Sequence, residues 1–230
     1  MAEEMGGCAG CAQAAAIAAS IEFEISQLEV RNTPNVRAIR RETSRRLKFA
    51  DASLVFEVAR ELMEGYGHRW FAYELIRDHE AAFHSLSESE LENLGAGMDS
   101  WGAVDSFART LSGPAWLHRL VSDDLIHRWS RSEDRWWRRA ALVSTVALNM
   151  RSHGGTGDPA RTLAVCRQLA ADQDDMVVKA LSWALRELVV HDADAVERFL
   201  VEHGDELAAR VKREVRNKLQ TGLKHSGRGS

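Results

Sequence analysis

The amino-acid sequence predicts an all-α protein. Ala, Leu, Glu and Arg, all strong helix formers, abound, while prolines number only three and β-branched residues are sparse. Apolar residues recur with the helical period. In LVFEVARELM (54–63), Leu54, Val58 and Leu62 stand four apart with Val55 and Ala59 beside them, and AALVSTVALNM and VVKALSWALRELVV follow the same rule. No run alternates strictly between apolar and polar residues with turn signals at both ends, so no strand is predicted.

The chain opens on a Gly/Ala-rich stretch, MAEEMGGCAGCAQ, with acid where an export signal needs base. Residues 1–20 have the composition of a flexible leader, 21–222 that of one helical repeat domain, and 223–230 that of a disordered tail. Cys8 and Cys11 have redox or zinc spacing, but no second pair or His motif accompanies them. Reduced thiols, with no metal and no cofactor, are the expectation. Each proline follows a cap or turn residue, at Thr33-Pro34, Gly113-Pro114 and Asp158-Pro159, and each is predicted at the first position of a helix. Gly65, Gly67, Gly95, Gly97 and MRSHGGTGD (150–158) punctuate the rest.

The helices echo one another. Arg139-Ala140 and Lys179-Ala180 each open an apolar helix, forty residues apart, and HRWFAYELI around Trp70 looks like an earlier copy. Two helices in every 35–45 residues or so fit a HEAT-like repeat solenoid of paired antiparallel helices. Such an array leaves a concave face lined by the second helix of each pair.

The net charge of −4 conceals basic islands. Residues 31–48 hold seven Lys/Arg against one Glu, residues 128–139 hold five arginines, and the tail from Arg210 to Arg228 adds a third island. Their segregation from the acids points to a concave basic cleft that binds a polyanion, with a scattered solvated surface as the alternative. No apolar run approaches the 18 or so residues needed to span a bilayer, so no membrane partner is expected.

Three stretches combine aromatics with charge. In GMDSWGAVDSFA (97–108), Trp101 and Asp105 stand four apart and share a helix face. In DRWWRRAALV (134–143), two tryptophans and two arginines open an apolar helix; one Trp is expected in the core and one at the rim, with the arginines gripping phosphate. In KALSWALRE (179–187), Trp183 and Arg186 share a face. Taken singly, each is as easily a core Trp beside a solvated charge.

In order and spacing these motifs resemble the AlkD-type DNA alkylation-repair glycosylases, built from HEAT-like repeats. The resemblance rests on Trp101-Gly-Ala-Val-Asp105, Trp137-Arg138-Arg139-Ala140-Ala141, Lys179-Ala180-x-x-Trp183-Ala184-Leu185-Arg186-Glu187 and the tail LAARVKREVRNKL (207–219), across roughly residues 30–222. It implies hydrolysis of the N-glycosidic bond of cationic N3- and N7-alkylpurines in double-stranded DNA, without a pocket for an extruded base. It also implies Asp105 as the catalytic carboxylate, Trp101 and Trp183 as aromatic walls, and Arg139 and Arg186 on the DNA backbone. Arg138, Lys179, Arg213 and Asn32 are the further expected DNA contacts. A monomer acting on the nucleoid in the cytoplasm is the corresponding expectation. The first thirty residues and the loop 150–158 depart from the family pattern.

Other chemistries fit poorly. GGTG at 154–157 lacks the preceding strand and the Lys-Ser/Thr of a phosphate loop, and the nine histidines show no HExxH spacing. Two non-enzymatic readings remain: a HEAT-like DNA-binding protein that recognises distorted DNA, and a HEAT-like protein scaffold.

Overall fold

The computed structural model describes residues 9–223, and all regular structure among them is helical. Cys8, Lys224 and Arg228 lie outside the described residues. The chain divides between Leu86 and Ser87 into two compact units.

The first unit begins with α1 (Ala9–Ser26), which starts inside the segment expected as a leader. An alanine-rich stretch carries little amphipathic signal, yet Ala14, Ala18, Ile21 and Ile25 fall on one face and are buried. α1 packs chiefly on α3 (Ala52–Glu64), and α3 on α4 (Arg69–Asp78). Val55, Val58 and Leu62 of α3 and Phe71, Leu75 and Ile76 of α4 are all buried. The short α5 (Glu80–His84) is capped by His79, whose Nδ1 accepts the Ala82 N–H at 3.1 Å.

α2 (Thr33–Arg46) starts as its proline predicts. Pro34 lies in the first turn, and the Asn32 side chain accepts the Asn35 N–H at 3.0 Å. The basic island on this helix is largely neutralised inside the unit: Arg37 pairs with Glu74, Arg40 with Glu74 and Asp78, and Arg46 with Glu24. A bare basic face over 31–48 is therefore not what forms. Its acids come from 22 to 38 residues away, beyond the reach of local charge counting.

The second unit holds α6 (Glu88–Gly95), α7 (Trp101–Phe107), α8 (Gly113–Leu117), α9 (Asp123–Ser130), α10 (Arg135–Asn149), α11 (Pro159–Gln168), α12 (Asp175–Leu188), α13 (Ala193–Glu202) and α14 (Ala209–Thr221). Side chains of Ser87, Ser100, Ser122, Asp134, Asp158, Asp174 and Asp192 each accept a backbone N–H of the helix that follows. Each such cap contributes about 1 kcal/mol. α10 is the centre of the unit: every residue from Arg139 to Asn149 is buried, and it packs on α7, α8, α9, α11 and α12. α12 in turn packs on α14.

Neighbouring helix pairs are joined by polar contacts with a recurrent sequence separation. Ser112–Ser144 and Ser182–Glu214 lie 32 residues apart, Arg139–Asp105 and Arg138–Asp172 lie 34, Ser130–Gln168 38, and Arg135–Asp174 39. These separations run from 32 to 39 residues, at and below the roughly 35–45 expected from the apolar echoes.

One expectation fails. Pro114 does not begin a helix: residues 101–117 run on through α7, a π turn at Ala108–Ser112, and α8. Proline has no N–H to donate four residues back, and its ring crowds the carbonyl there, so the turn widens and Gly113 N–H bonds to the Ala108 carbonyl. Gly113 also permits close approach to α10, since a Cβ there would lie 2.8 Å from both the Ala147 Cβ and the Ser144 carbonyl oxygen.

The paired tryptophans do not divide between core and rim: both are half-buried, with different neighbours. Trp137 packs edge-on to Phe107 (6.0 Å between ring centroids) and against Trp129 (4.7 Å). Half-buried Trp136 lies under the Arg135 guanidinium, 4.7 Å from its centroid.

Candidate active site

Residues of α7, α10, α12 and α14 converge on an open cleft of about 570 Å³. Trp101, Asp105, Arg139, Lys179, Trp183, Arg186, Arg210 and Glu214 are among its lining residues. Equivalent positions are in use: Asp105, Arg139 and Lys179 are each the fifth residue of their helix. Side chains at this position point back toward the helix start, so successive helices deliver them to one edge.

Asp105 is held by Arg139. Nε donates to Oδ1 and Nη2 to Oδ2, both at 2.9 Å, and Nη1 donates to the Met176 carbonyl at 2.5 Å. The Arg139 side chain is 7% exposed and that of Asp105 18%. This fork occupies two of the roughly four acceptor sites of the carboxylate and leaves the others. On the same helix Trp101 is 61% exposed, an unusual position for an indole without a partner surface.

Trp183 is half-buried, and its Nε1–H donates to Glu187 at 3.0 Å. The Arg109 guanidinium, from the π turn, lies 5.7 Å from the Trp183 ring centroid. Arg186 donates from Nε to Ser182 Oγ at 3.3 Å and lies 3.9 Å from Glu214; burial pushes its pKa below the usual arginine value. Glu214 is itself buried, accepting from Ser182 at 2.7 Å and facing Arg210 at 3.7 Å.

The sequence model of the DNA alkylation repair enzymes matches residues 12–219. The chain belongs to that family. No curated protein matches it in sequence. The family match begins well before residue 30, where the motif resemblance starts, and so includes most of α1. A role in the repair of alkylated DNA follows from that membership.

Within this family member the structure brings Trp101, Asp105, Arg139, Lys179, Trp183 and Arg186 together. It places three other expected DNA contacts elsewhere. Arg138 donates to Asp172 at 2.7 Å and to the carbonyls of Ser132 and Glu133, so it ties the start of α10 to the turn before α12. Arg213 is exposed on α14 beside Lys212 and Arg216, outside the cleft lining. Asn32 caps α2 in the first unit.

Sequence reading missed Met176, Arg210 and Glu214 in the lining, and Arg109 over Trp183. For Arg210 and Glu214 the available signal was the repeat register, since Arg210 stands 35 residues after its partner Asp175 and Glu214 32 after Ser182. Among the described residues no group of three or more His, Cys, Asp or Glu could hold a metal, and no helix is long and apolar enough to cross a membrane.

Proposed function

We propose that the protein is a DNA glycosylase that hydrolyses the N-glycosidic bond of cationic alkylated purines in duplex DNA, at N3-alkyladenine and N7-alkylguanine, for base excision. The observation that carries this reading is Asp105, fixed by a two-pronged bond from Arg139 in an open cleft between Trp101 and Trp183. The repeat spacing of polar links supports a HEAT-like array in the second unit, with this cleft on its lined face.

An N3- or N7-alkylpurine already bears positive charge, so the base leaves without a general acid. As the C1′–N bond lengthens, charge passes to the deoxyribose and creates an oxocarbenium-like centre. A carboxylate at fixed orientation stabilises that cation and directs the attacking water. Oriented electrostatic groups of this kind contribute about 3–4 kcal/mol in other enzymes. The indole faces of Trp101 and Trp183 add cation–π attraction of about 0.5–2 kcal/mol each. Arg186 and Lys179 are the phosphate-holding groups in this scheme. Arg139, with three of its donors bound inside the protein, is a positioning residue for Asp105 rather than a grip on the DNA backbone.

The test is single-turnover release of free base from duplex DNA carrying N7-methylguanine, comparing wild type with Asp105→Asn. Release by wild type, nearly lost in the variant while DNA affinity is kept, is the expected result. Salt-sensitive DNA binding without release from N7-methylguanine or N3-methyladenine would convert the reading to a structural DNA-binding protein. Neither release nor binding would leave the scaffold.

A further inference from the structure

At the outer side of the cleft one exposed carboxylate bridges two cations from different helices. Asp175, the first residue of α12, accepts from Lys179 Nζ at 2.5 Å on Oδ2 and from Arg210 Nη1 at 2.9 Å on Oδ1. Lys179 lies one turn along the same helix, whereas Arg210 reaches across from α14. Both cations line the cleft. The proposed chemistry uses neither Asp175 nor Arg210.

We infer that Lys179 and Arg210 form a phosphate subsite for the DNA backbone, and that Asp175 is the intramolecular anion occupying it in the free protein. The inference rests on the DNA-glycosylase reading. Its geometry is that of a phosphodiester: two oxygens on one centre, each bound to a different cation, as the two non-bridging oxygens of a phosphate would be. The start of α12 adds its partial positive charge at the same point.

Exchange is physically easy. Asp175 is 62% exposed, Lys179 42% and Arg210 37%, so their pairs sit largely in water, where such contacts are weak. A phosphate brings its own helix-long field and releases condensed counterions on binding, which an exposed carboxylate cannot match. Arg210 does not lose all support when Asp175 swings away, because Glu214 remains 3.7 Å from its Nε. Asp175 therefore sets the threshold for DNA to enter, and its removal should tighten binding.

The experiment measures affinity for an unmodified duplex at two low salt concentrations, for wild type, Asp175→Asn and Arg210→Gln. Asp175, Arg210 and Lys179 are each exposed enough for the fold to tolerate replacement. Asp175→Asn should bind about three- to tenfold tighter, from loss of one like charge beside phosphate. Arg210→Gln should bind correspondingly weaker, with a salt slope shallower by about 0.9. Asp194→Asn on α13, outside the cleft lining, removes the same charge and should change affinity little. In a Lys179→Gln/Arg210→Gln background the gain from Asp175→Asn should largely vanish. Equal gains from Asp175→Asn and Asp194→Asn, or an unchanged slope in Arg210→Gln, would overturn the subsite while leaving the glycosylase reading intact. Absence of DNA binding by wild type would overturn both.

Discussion

Replacing Arg139 separates two roles that sequence alone merges. In the structure its guanidinium makes two bonds to Asp105 and one to the Met176 carbonyl from a position only 7% exposed. Arg139→Gln leaves a carboxylate and a carbonyl without their donor. Breaking a buried pair in this way costs about 3–5 kcal/mol, and the 18% exposure of Asp105 favours the lower end. With a urea slope of about 2–3 kcal/mol/M, the unfolding midpoint should fall by roughly 1–1.5 M. Arg139→Lys keeps the charge but offers a single point in place of a fork, at a stability cost of about 1–3 kcal/mol. Asp105 then loses its fixed orientation, and a misplacement of about 1 Å lowers the rate on the order of a hundredfold. The informative assay pairs single-turnover base release with DNA affinity at two salt concentrations. The expected Arg139→Lys result is a large loss of rate with affinity and salt slope near wild type. A wild-type rate with weakened affinity and a slope reduced by about 0.9 would instead show Arg139 gripping phosphate, and the positioning argument would fail.

Three further outcomes follow from packing and charge. Gly113→Ala should destabilise the second unit by about 1–3 kcal/mol in urea unfolding, because the new methyl meets α10 backbone and the Ala147 side chain at 2.8 Å. Burial raises the pKa of the Cys166 thiol far above its ordinary value, so Cys166 should resist iodoacetamide at neutral pH until the protein unfolds, as peptide mass spectrometry can read. The Glu88 carboxyl is held below the usual glutamate range by the Ser122 hydroxyl first, with the Arg128 guanidinium adding to it. Its contribution is complete above a pH of about 4.3 and fades as pH falls through the lowered value. Glu88→Gln should therefore reduce stability at neutral pH while changing little below that range.

The helices were legible because their cause is local. Apolar spacing, Ser/Asp caps and two of the three prolines act within a turn or two, and the structure follows them in α2, α10, α11 and α12. Asp105, Trp101, Trp183 and Arg186 were legible as a group through the resemblance of their motifs to the family, and they line one cleft. What escaped was pairing at a distance. Nothing near Arg139 in sequence says that its donors end on Asp105, 34 residues earlier, just as nothing near Arg37 announces Glu74, 37 residues later. Charge islands count side chains without their partners, and an arginine's role depends on which carboxylate finds it first. α1 escaped for a different reason: alanine buries so little area that a helix built on it hardly differs from a leader in composition.

The widened turn after Phe107 bears on how this helix keeps its bearings. Both its flanks are anchored on α10, with Val104 and Phe107 buried on one side and Pro114, Ala115 and Trp116 on the other. An extra residue in an ordinary α-helix rotates everything beyond it by about 100°. Here the π turn absorbs such a residue, so the carboxylate of Asp105 and the anchor around Pro114 keep their separate azimuths. The segment Ala108–Ser112 thus works as a coupling with one residue of slack. Lengthening it by one exceeds that slack and would swing Asp105 off the cleft.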